Sequence, residues 1–86
     1  NAIHDMIRLV TLDTKLSGIL FDLAMHRKLY RLAKTEDDKL LYINKVQDDN
    51  YKKKQVINEI VPIINNSRAI QARKFKKTKE HIFSYL

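Results

Sequence analysis

The sequence predicts an all-α protein, an antiparallel helical bundle of three long helices, and three observations carry that prediction. Apolar residues recur at alternating steps of three and four over long stretches, the spacing that gathers them on one side of a helix. One glycine and one proline in 86 residues leave little punctuation for many short strands. The clearest capping signals fall near Thr35 and near Asn65, so the chain divides into few, long pieces.

The first helix is expected over residues 3–33. Leu9, Leu12, Leu16, Ile19, Leu23, His26, Tyr30 and Ala33 keep a heptad, Leu20 and Leu32 widen it, and Asp13, Lys15, Asp22 and Arg31 largely fall off it. Thr11, Thr14, Ser17 and Gly18 are weak helix formers. They mark the one place where this helix could break, with Asp13 capping a second piece. At the boundary, Thr35 is placed to cap the next helix and Glu36, Asp37 and Asp38 follow in its first turn, where acids meet the positive end of the helix dipole. Arg27, Lys28, Arg31 and Lys34 suit the negative end of the helix before it.

The second helix begins with Leu40, Leu41, Tyr42, Ile43 and Val46, then meets the wholly polar Gln47-Asp48-Asp49-Asn50. Its stripe resumes in phase at Val56, Ile57, Ile60, Val61 and Ile64, which favours one helix with a polar middle over a break at Asp49. Pro62 removes a ladder bond, so a kink or an end is expected close by. Asn65-Asn66-Ser67 can cap a third helix over residues 68–85, with Ile70, Phe75, Ile82 and Leu86 inward. Breaks at Asp13 and Asp49 would raise the count to four or five.

Composition excludes several functions. There is no cysteine, hence no disulfide, no thiol nucleophile and no Cys-type zinc site. A single glycine rules out a glycine-rich phosphate loop. No stretch approaches the roughly 18–20 apolar residues that cross a bilayer, and a cytoplasmic setting is the expectation. The opening Asn1-Ala2-Ile3 suggests a single helical domain, residues 1–86, cut from a larger protein.

Net charge is +7, and it is concentrated at the end of the chain. Residues 1–67 hold 11 Lys plus Arg against 9 Asp plus Glu, whereas residues 68–86 hold 6 against 1. Arg68, Arg73, Lys74, Lys76, Lys77 and Lys79 form a basic run able to neutralise phosphates, with release of their counterions driving sequence-independent binding of nucleic acid or another polyanion. Set against this is a solvated face balanced by the acids elsewhere. The alternative function is protein–protein docking or homodimerisation through the apolar seam and through Phe75, Ile82, Phe83 and Tyr85. Gly18 as the turn of a DNA-binding helix-turn-helix fits poorly, because the heptad runs through it. The aromatics do not align as a base-stacking platform.

Enzymatic chemistry is not expected. His4-Asp5, a histidine followed by an acid near the start of a long helix, resembles the phosphoacceptor helix of histidine kinases only in that dipeptide, and it reads as an exposed first-turn histidine. His26 fills the one polar slot of the first heptad. It lacks a second ligand three or four residues on for a metal, and Asp22 is its nearest candidate hydrogen-bond partner. His81 stands beside the basic run without a catalytic partner. Asp37-Asp38 and Asp48-Asp49 are adjacent pairs that diverge by about 100° on a helix, so neither is an acid–base couple by itself. Asp48-Asp49-Asn50 lacks the alternation of a calcium loop. No cofactor, metal or small-molecule substrate is implied.

Overall fold

The computed structural model describes residues 2–66, which form two helices of equal length. α1 spans Ala2–Leu32 and α2 spans Glu36–Asn66, each of 31 residues and about 46 Å long. Ala33, Lys34 and Thr35 join them, and the helices return antiparallel as a hairpin. The described residues are all-helical. The expected third helix, with Ile70, Phe75, Ile82 and Leu86, lies outside them.

The turn is built as its sequence indicates. Thr35 Oγ1 accepts from the Asp38 amide at 3.1 Å, and the Thr35 carbonyl accepts from the Lys39 amide at 3.0 Å, so α2 starts on a side-chain cap with three acids in its first turn. At the other side, the Ala33 amide donates to the Tyr30 carbonyl at 3.3 Å and closes α1 with a tight last turn.

Neither suspected break occurs. The hydroxyls of Thr11 and Thr14 donate back to the carbonyls of Ile7 and Val10, at 2.8 and 3.0 Å, which satisfies both groups inside the helix. α1 therefore runs straight through Gly18. α2 likewise continues through residues 47–50 and through Pro62, ending one turn later at Asn66. Pro62 is tolerated because it sits on the exposed side, as does Asn58, whose carbonyl loses its ladder partner.

The core lies towards the open end of the hairpin. Leu9, Leu12 and Leu16 of α1 cluster with Val56, Ile60 and Ile64 of α2, and Met6, Ile19, Leu20, Ile57 and Ile63 pack around them. Leu23 and Val46 continue the buried line towards the turn. Each fully buried Leu or Ile contributes about 1.5–3 kcal/mol of transfer free energy, so this single line of side chains is what holds the pair together.

Candidate docking surface

α1 carries two apolar faces. The first is the heptad seam, which α2 occupies from Leu9 to Leu23. The second is formed by Ile3, Ile7, Val10, Phe21 and Met25, with Thr14, Ser17 and Gly18 between them. At 100° per residue the two stripes lie on roughly opposite sides of the helix. Their exposures differ accordingly: Leu9 and Leu16 are 0% exposed, Ile7 60% and Phe21 64%.

This outer stripe carries no charge between Ile3 and Met25. Asp5, Arg8, Asp13, Lys15 and Asp22 all fall elsewhere on the circumference, and the first charge to enter it is Lys28. Its one threonine hydroxyl, on Thr14, is already bound to the Val10 carbonyl, so at that position a covering surface meets a methyl group, while Ser17 adds a hydroxyl to the face. Contiguous apolar patches above roughly a few hundred Å² are uncommon on monomeric proteins; on this stripe Thr14, Ser17 and Gly18 separate the large apolar side chains.

Gly18 belongs to this face, and the hairpin itself does not require it. A Cβ built there meets nothing within 4 Å, and its φ is not positive. Glycine inside a helix costs about 0.5–1 kcal/mol relative to alanine, and no contact within the described residues repays that cost.

On the seam, His26 finds a partner that sequence reading did not assign. Its Nδ1 donates to Asp49 Oδ2 of α2 at 2.5 Å, with the two side chains 25% and 7% exposed. Asp22, the expected partner, is exposed. Asp49 was read as part of a polar middle, yet it is buried, because it holds the seam position three residues after Val46 and seven before Val56. The signal available was the coincidence of one polar slot in each of two facing stripes. Among the described residues no group of three or more His, Cys, Asp or Glu could hold a metal ion.

The remaining predicted features are simply placed. His4 is exposed in the first turn of α1. Asp48 faces solvent and pairs with Lys52 one turn on, at 3.0 Å, and that hydrogen bond, together with the carboxylate charge, holds the Lys52 ammonium above its usual pKa. A cleft of about 400 Å³ opens between Lys15 and Ile19 on α1 and Tyr51, Lys52, Val56 and Glu59 on α2, but Tyr51 is 64% exposed and the cleft is not closed over. Arg68, Arg73, Lys74, Lys76, Lys77 and Lys79 lie outside the described residues, as do Phe75, His81, Ile82, Phe83 and Tyr85. Among the described residues no helix is long and apolar enough to cross a membrane. No protein-family model, no curated protein and no solved structure matches the chain.

Proposed function

We propose that the hairpin is a non-enzymatic protein-association module whose docking surface is the outer face of α1. The observation that carries this reading is the uncharged stripe of Ile3, Ile7, Val10, Phe21 and Met25, exposed on the side of α1 opposite its seam with α2. The reading moves the docking surface expected from the sequence. The seam is filled by α2 from Leu9 to Leu23, and the longest series of exposed apolar side chains on α1 is on the other face, while Leu40, Leu41 and Tyr51 are exposed on α2. Thiol footprinting tests it, since the chain has no cysteine of its own. A cysteine at Phe21 should be alkylated freely in dilute chain and protected when a partner is bound, while one at Gln47, on the outer side of α2, stays reactive throughout. Equal reactivity at both positions, in concentrated chain and in cell extract alike, removes the proposal.

A second reading rests on charge. Six of the 17 cations lie between Arg68 and Lys79 with no acid among them, and a third helix over residues 68–85 would place several on one face. Binding of nucleic acid or another polyanion through this run would weaken steeply with salt. Fluorescence anisotropy with a labelled duplex between 50 and 200 mM salt separates the cases, because a flat response or no binding removes this reading.

A further inference from the structure

We propose that the occupant of the outer face of α1 is the same face of a second copy, packed antiparallel about a two-fold axis at Thr14. The inference rests on the docking reading above and names its partner. An isologous interface must be self-complementary, so a residue on one copy meets its reciprocal on the other. With the axis at Thr14, Ile3 faces the partner's Met25 and Ile7 faces the partner's Phe21. Val10 faces the partner's Gly18, and Thr14 meets its own counterpart. Every exposed large residue of the stripe from Ile3 to Met25 is then matched. The large ones meet large ones towards the ends, and the small ones lie at the centre, where two helices crossing at an angle come closest.

Two independent features support this arrangement. Gly18, which no neighbour within the hairpin requires, becomes the recess that admits Val10 of the partner. Charge selects the direction. Lys28 enters this face near the end of α1, with Arg31 beside it, and a parallel pair would bring the Lys28 of both copies side by side. The antiparallel pair separates them by most of the helix length. It also sets the exposed Asp22 at the rim of the interface, across from the stretch between His4 and Arg8 of the other copy. The stripe from Ile3 to Met25 runs about 33 Å along the helix. Covering it on two copies reaches only the lower end of stable interfaces, about 1,000 Å² in total, the size of a weak and reversible association.

Sedimentation of the full chain, combined with single-cysteine variants, decides the matter. The average mass is expected to rise from monomer towards dimer between ~1 and ~200 µM, the range of a weak, reversible association. Phe21→Lys is expected to raise the dimer's dissociation constant at least tenfold while leaving the helical circular dichroism unchanged. On oxidation, a mixture of Ile7→Cys and Phe21→Cys chains should give chiefly the mixed disulfide, because the antiparallel register places these two positions face to face. A dimer that yields only the two homodisulfides is parallel and overturns the arrangement. A chain that stays monomeric while its Phe21→Cys thiol is labelled at the rate of a free thiol excludes the second copy, yet leaves the face open to another protein. A chain that stays monomeric with that thiol protected has its outer face covered by its own residues, and both the dimer and the docking reading fall.

Discussion

The two faces of α1 use nearly the same amino acids to opposite ends. On the seam, Leu9, Leu12, Leu16 and Leu23 are buried, and the polar slot at His26 is matched by Asp49 from α2. On the outer face, Ile3, Ile7, Val10, Phe21 and Met25 are as apolar but uncovered, and the small centre at Thr14, Ser17 and Gly18 has nothing to fit. The difference teaches that apolar periodicity alone does not tell what a helix buries. A polar residue that finds a buried partner identifies a face already closed. A glycine that meets nothing identifies one still open.

The sharpest way to break this contrast is to remove a side chain from the closed face. Leu16→Ala should destabilise the hairpin by about 3 kcal/mol, the usual cost of a large-to-small change at a fully buried site, and urea denaturation followed by circular dichroism would measure it. If Leu16→Ala costs no more than an exposed substitution, the seam is not the core. Asp49→Ala comes next, at about 2 kcal/mol, because it leaves the His26 imidazole partly buried without its acceptor. Replacing both residues, His26→Leu with Asp49→Leu, should recover most of that loss, since an apolar pair needs no partner. A double variant as unstable as the sum of the two single ones would show that His26 and Asp49 are not coupled, and would remove the pair as a contributor to the seam.

Substitutions on the open face should behave in the opposite sense. Gly18→Ala is expected to stabilise the hairpin in dilute solution by about 1 kcal/mol, the gain in helix propensity at an exposed position, because the added Cβ meets nothing. Loss of stability there would mean that this face is already packed. Phe21→Gln should change the unfolding free energy least, within about 0.5 kcal/mol. A large loss measured by the same denaturation curve would place Phe21 in a core and cancel the distinction between the faces.

Much of the hairpin was legible in the order of its residues. The cap at Thr35 and the three acids after it located the turn, and the in-phase return of apolar residues after residue 50 made α2 one helix. What could not be read was which residues meet across the two helices. His26 looked inward to its own helix, towards Asp22, because spacing along one helix is visible in a sequence. The match with Asp49 depends on the register between two helices, which only their packing sets. The outer stripe stayed hidden for a related reason. Ile3, Ile7, Val10, Phe21 and Met25 are spaced as regularly as the seam, but Thr14, Ser17 and Gly18 interrupt them, and the longer leucine series drew the helix face first.

The position of the core at the open end of the hairpin has a consequence for how the chain folds. Its cluster joins Leu16 to Val56, 40 positions away, and includes Leu9 and Ile64, which are 55 positions apart. The turn near Thr35 forms with purely local contacts, yet few of the buried apolar side chains lie close to it. Zipping from the turn therefore gathers little favourable energy until the far ends meet, even though the longer loop costs less than about 1 kcal/mol extra to close. Folding should be all-or-none, with the distant cluster present in the transition state. Leu16→Ala would then slow folding, whereas a weakened Thr35 cap would act mainly on the unfolding rate. Stopped-flow kinetics showing the reverse pattern would place the nucleus at the turn.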